Sequence, residues 1–211
     1  MASQISHIIY AKKFFDSAQE GKIEIGRKID KDEFLLGCVF PDIRRIDKNI
    51  QRKDTHLKFY PLDLNFSGPS SFEAGWKFHL YCDMKREDIL KKYGFYTGKE
   101  NDGFYEFAAK MLEDELVYKE YNNWEKIINY FNNPAFPKIE NLEINPETFR
   151  LWYAMVSKYA QKNPTSKTIR TFLTKQPRLQ KNIDEIMEKM ETLRQDKKAV
   201  KILGNIYEEI V

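Results

Sequence analysis

In the first segment of the chain the apolar positions Ile5, Ile8, Ile9, Phe14, Phe15 and Ala18 recur near helical spacing. That predicts a helix over 5–18, with Gly21 as its stop. Asp30 or Asp32 opens a second, short helix through EFLLGCVF. Pro41 should end it, because the residue before a proline is pushed out of the α region. Residues 42–69 show no sustained period and read as a long ordered loop with one turn of helix. Ser70 stands three residues before Glu73, the spacing of a capping box, and opens a helix over 71–93 closed by Gly94. Further helices are predicted over 104–121 and over 124–131 behind Asn123. Asn145-Pro146 opens one through Ala160, as a cap followed by proline at the first helical position. Asn163-Pro164 repeats that device, Pro177 opens a helix towards Arg194, and 197–210 closes the chain. Alternating runs of β-branched residues are absent. The fold class is therefore all-α: a helical core over 1–131, and a helical extension over 145–211 packed on it within one domain.

Composition narrows the function classes. The chain has 211 residues, of which 42% are hydrophobic and 32% charged. That apolar share excludes a disordered chain. The 35 basic and 32 acidic residues leave a net charge of +3. Such a balance does not mark a nucleic-acid or membrane-surface protein, and the basic residues of the C-terminal helices lack the interleaved aromatics of a nucleic-acid stripe. The longest apolar run, Phe34 to Phe40, is far too short for a membrane span, and the N-terminus lacks the charged-then-apolar order of a signal peptide. Cys38 and Cys82 cannot form a disulfide framework and are expected as buried free thiols in a reducing compartment. These features together lead to the expectation of a soluble cytoplasmic protein.

The chain has three histidines, His7, His56 and His79. His79 and Asp83 are four apart on a predicted helix, which puts imidazole and carboxylate on one face. Asp42 follows Pro41, and His56 lies fourteen residues later. Singly, each residue has an ordinary structural reading: a buried polar histidine, a helical hydrogen-bonded pair, a turn-opening aspartate. Together they make a donor set suited to Zn²⁺, with Fe, Mn²⁺ and Ni²⁺ also compatible.

Ser6-His7, then Gly37-Cys38-Val39-Phe40-Pro41-Asp42, then Thr55-His56, then Gly75-Trp76-Lys77-Phe78-His79-Leu80-Tyr81-Cys82-Asp83 resembles the zinc-dependent phospholipase C and P1 nuclease superfamily in the order and spacing of its elements. The resemblance covers about the first 90 residues. It implies a helical fold of that type and hydrolysis of phosphodiesters or phosphomonoesters by a metal-activated water. Asp42, His56, His79 and Asp83 match the ligands of one metal. His7 matches a ligand of a neighbouring one, with Asp83 bridging the two.

The chain also departs from the pattern. No histidine follows His79, so one metal of the family is missing or rebuilt from carboxylates, leaving one ion or two with the second weak. Asp114, within Glu113-Asp114-Glu115, is the candidate for the missing catalytic carboxylate. Asp42 is the candidate acceptor of a water proton, and Asp83 the ligand without which turnover should cease. Arg44 and Arg45, close after Asp42, are the candidate contacts to a phosphate-ester substrate. An HD-type phosphohydrolase would show an adjacent His-Asp pair, and this chain has none. The alternative from another class is a catalytically silent helical module whose structural metal supports partner binding.

Overall fold

A computed structural model describes residues 3–66, 70–98, 102–139 and 142–211. Among them are ten α-helices and no strand. The helices are α1 (Gln4–Gln19), α2 (Lys31–Val39), α3 (Arg52–Thr55), α4 (Ser71–Lys92), α5 (Gly103–Val117), α6 (Trp124–Asn132), α7 (Pro146–Ala160), α8 (Ser166–Thr174), α9 (Ile183–Gln195) and α10 (Lys197–Glu209). The all-α reading therefore holds, and no described helix is long and apolar enough to cross a membrane.

The local signals act as the chemistry requires. Asp30 accepts from the backbone N–H groups of Asp32 and Glu33 and starts α2. Ser70 and Glu73 form the capping box of α4. Gly94, at φ +62°, ends α4 in a left-handed turn. Its N–H bonds the carbonyl of Lys91, and the N–H of Phe95 bonds that of Leu90.

Four boundaries differ from expectation. Pro41 does not break the helical path. It sits at the second position of a 3₁₀ segment, Phe40–Arg45, where its missing N–H leaves no bond unmade. The expected loop over 42–69 thus begins as a tight turn. At Asn163-Pro164 the cap falls instead on Thr165, which forms a capping box with Thr168 and starts α8 two residues later. Residues 177–179 form a turn followed by a 3₁₀ segment, Gln180–Asn182, so α9 begins at Ile183 rather than at Pro177. The helix expected over 104–121 ends at Val117, and Tyr118–Glu120 form a 3₁₀ turn.

The core sits where α1, α2, α4 and α5 meet. Phe14 of α1, Phe34 of α2 and Phe78 of α4 pack ring to ring, joined by Phe66. The closest approach is between α2 and α4. A Cβ on Gly37 would overlap the carbonyl oxygen of Phe72, and one on Gly75 would overlap that of Phe34. Only glycine allows the two backbones to touch at these points.

The C-terminal helices pack on this core. The Trp152 indole donates to the carbonyl of Val39 at 3.0 Å, and the Tyr153 hydroxyl to that of Leu36 at 2.7 Å. Helix α7 is thereby tied to the backbone of the last turn of α2. Helices α9 and α10 lie against α5. Cys38 and Cys82 are buried free thiols.

Candidate metal centre

The glycine contact places the end of α2 beside the middle of α4. The carbonyl of Cys38 meets Nδ1 of His79 at 2.7 Å. A carbonyl only accepts, so Nδ1 carries the proton and Nε2 keeps its lone pair facing inward. One turn along α4, Asp83 Oδ2 lies 3.6 Å from that Nε2. His56 follows α3 directly and points its own Nε2 to 3.4 Å from His79 Nε2 and 3.9 Å from Asp83 Oδ2. Its segment is held by the Trp76 indole, which donates to the carbonyl of Thr55 at 2.8 Å. From the 3₁₀ segment, Asp42 brings Oδ1 to 3.8 Å from His56 Nε2. His7, in the second turn of α1, lies 3.4 Å from Asp83 Oδ1 through Nε2 and stacks on His79 with ring centroids 3.8 Å apart.

All five residues predicted as ligands therefore meet. The two oxygens of Asp83 face different histidines, Oδ1 towards His7 and Oδ2 towards His56 and His79. Donors held about 2.0–2.2 Å from a tetrahedral ion lie roughly 3.3–3.6 Å apart. The observed separations of 3.4, 3.6 and 3.9 Å among His56, His79 and Asp83 come close to that spacing. His7, His79 and Asp83 offer a second compact trio. His7 is fully buried, yet neither ring nitrogen makes a hydrogen bond, and Asp42 Oδ1 is likewise buried without one. Buried polar atoms left this way are costly unless something else satisfies them, and a cation among these donors would do so.

The electrostatics suit ligation. Burial pushes the His56 imidazole down to about 4, against the pull of Asp42 and Asp83. Burial, and then the neighbouring His7, hold His79 well below the ordinary histidine range. Neutral imidazoles are the ligand form. Burial opposes charge on Asp42, but the cations around it prevail and keep its carboxyl well below the usual range; that of Asp83 is lowered as well, against its burial. For Asp42 the foremost cation is Arg45, whose guanidinium lies 2.6 Å from Oδ2. Gln4 donates to the same oxygen at 2.7 Å. Asp42 is thus oriented and kept ionised, which suits a ligand better than an acceptor of protons.

Two other expected residues, Arg45 and Asp114, have different surroundings from those anticipated. Arg45 is buried against Asp42, 3.5 Å from the Gln176 carboxamide and over the Phe107 ring, so its guanidinium faces the protein interior. Arg44 lies 3.9 Å from Asp42 with a side chain 14% exposed. Asp114 does not join the cluster. It accepts from the backbone N–H and hydroxyl of Ser6 at 2.8 and 2.7 Å, tying α5 to the first turn of α1. Burial raises its carboxyl to about 6.

A cleft of about 620 Å³ opens beside the centre and includes His56 and Asp83 in its wall. Its cations are Arg52, Lys58 and Lys91, and its apolar wall includes Leu57, Tyr60 and Leu80. Glu106 of α5 also faces it and holds the buried ammonium of Lys110 at 3.1 Å. Sequence reasoning passed over Lys58, Lys91, Glu106, Gln4 and the Cys38 carbonyl. The adjacent glycines Gly37 and Gly75, both within the recognised motifs, were the signal for the last of these. No family model, curated protein or solved structure matches the chain in comparisons with each.

Proposed function

We propose that the chain is a metal-dependent phosphoesterase, hydrolysing a phosphodiester or phosphomonoester. His56, His79, Asp83 and Asp42 would hold one divalent cation. The mixed nitrogen and oxygen set favours zinc, with iron, manganese or nickel as compatible alternatives. His7 and Asp83 Oδ1 would hold a second, more weakly. When bound, such a cation polarises a phosphoryl oxygen and brings a water to ionise near neutral pH.

The protein's own residues supply the rest. Arg52 and Lys58 place positive charge in the part of the cleft that shares the His56 segment, where an anionic phosphate would enter, while Glu87, Asp88 and Glu106 make the rest of its wall acidic. Leu57, 65% exposed, and Tyr60, 77% exposed, form an apolar lip on the segment that carries His56. The Cys38 carbonyl fixes the His79 tautomer, and Arg45 with Gln4 fix Asp42, so the donors are oriented before any ligand arrives.

The observation that carries this reading is the convergence of His56, His79 and Asp83 at one side of an open cleft. Structural metal sites are closed, whereas catalytic ones leave a position accessible. That favours an enzyme over a silent module. The test measures bound metal in the purified protein and in His79→Ala, then turnover of p-nitrophenyl phosphate and bis-p-nitrophenyl phosphate with Zn²⁺, Mn²⁺ and Fe²⁺. Metal-dependent turnover abolished by Asp83→Asn is expected. A fully loaded site without turnover on any ester would favour the structural-metal module.

A further inference from the structure

Away from the metal centre, α7 and α8 enclose a groove of about 500 Å³. From α7 it is lined by Leu151, Met155 and Lys158, spaced along one helix face. From α8 and its end come Phe172 and Lys175, with Lys167 at the opposite edge. The floor is firm: Tyr159 and Phe172 stack with centroids 4.1 Å apart. Leu151 is nevertheless 56% exposed, among the most exposed large apolar side chains described.

The charge around this floor is one-sided. Three lysines line the groove and no carboxylate does. In a chain whose charges nearly balance, that is a local asymmetry. Neighbouring Arg170 is paired with Asp184 at 2.6 Å, but among the described residues Lys158, Lys167 and Lys175 pair with no carboxylate. A concave apolar floor with unneutralised cations on its edges complements an amphipathic helix that is acidic on its flanks. A flat lipid surface would instead call for apolar side chains that protrude.

We propose that the α7–α8 groove is a docking site for an acidic amphipathic helix of a protein partner. Its apolar face would lie on Leu151, Met155 and Phe172, and its carboxylates would meet Lys158, Lys167 and Lys175.

The probe is a fluorescein-labelled designed peptide with leucines at i, i+3, i+4 and i+7 and glutamates on the flanks, beside a counterpart with lysines in their place. Fluorescence anisotropy is read on the full chain at low and at high salt. The acidic peptide should bind, more weakly as salt rises, and the lysine peptide should not. Leu151→Glu, and Lys158→Glu combined with Lys175→Glu, should each weaken binding by about tenfold or more. These side chains are exposed, so unchanged circular dichroism accompanies the loss. The proposal is overturned if the acidic peptide fails to bind, if both peptides bind alike, or if Leu151→Glu leaves binding unaltered. Preferential binding to phosphatidylserine vesicles, or self-association of the chain lost in Leu151→Glu, overturns it equally.

Discussion

The backbone carbonyl of Cys38 fixes which nitrogen of His79 carries the proton, across a helix contact that exists because Gly37 and Gly75 lack side chains. A methyl at either glycine meets backbone, which has no rotamer to yield. Gly37→Ala and Gly75→Ala should therefore each cost about 3 kcal/mol in chemical denaturation, at the upper end for overpacked sites. Metal affinity should fall with stability, because separating α2 from α4 draws the carbonyl off His79. Wild-type affinity in a destabilised Gly75→Ala would show that the glycine contact serves folding alone.

The two faces of Asp83 predict two unequal ions. Titrating metal into the chelator-treated protein should show one tight and one weaker equivalent. His7→Gln should remove the weaker and leave the tighter, because His7 faces only Oδ1. His79→Ala should weaken the tight one by more than about 100-fold, exceeding the usual loss for an outer-shell partner. A single equivalent lost in both variants would mean that the five donors hold one ion.

Arg45 and Arg52 should separate cleanly. Arg45 touches Asp42, so Arg45→Met should lower metal affinity by about 10–100-fold, as loss of an orienting partner does. Arg52 lines the cleft beside His56. Arg52→Ala should leave metal content unchanged and raise KM for an anionic ester about tenfold, with kcat less affected. The reverse pattern would return Arg45 to the substrate-contact role that its nearness to Asp42 in sequence suggests.

The helices were legible because their signals are local: Asp30, Ser70, Asn145 and Gly94 act within one turn of themselves. The misplaced starts of α8 and α9 also have local causes, where Thr165 outcompeted Asn163 and a turn followed Pro177. The five converging positions were anticipated because histidines are few and because the order of the motifs resembles a known metal-binding pattern. What surrounds them was not. Whether Arg45 turns towards solvent or towards Asp42 depends on Gln4, Phe107 and Gln176, which lie far from it in the chain. Asp114 is acidic and follows the motif helix, which in sequence suggests a catalytic carboxylate, while its actual partner, Ser6, is 108 residues away. Long-range partners leave no mark on spacing.

Asp114 offers the clearest pH prediction. Its carboxyl is raised from 3.8 to about 6, so the folded chain holds this proton more tightly than the unfolded one. The stability it contributes is complete below 3.8 and is lost as pH rises through about 6, a change worth about 3 kcal/mol. In the metal-free protein His56 works the other way. Its imidazole is lowered from 6.5 to about 4, so its contribution is present above 6.5 and is lost as pH falls towards 4. His79, also held well below the ordinary histidine range, adds a slope of the same sign as His56, so Asp114 offsets them only in part and the metal-free wild type should still lose stability as pH falls from 6.5. Asp114→Asn keeps an oxygen to accept from Ser6 but cannot ionise. Urea unfolding should find it close to wild type near pH 4 and more stable by about 2–3 kcal/mol near pH 7. Its own stability should then fall more steeply with acid, because the histidine slopes are no longer offset in part. A constant difference between variant and wild type across that range would mean that Asp114 is already ionised in the folded protein throughout.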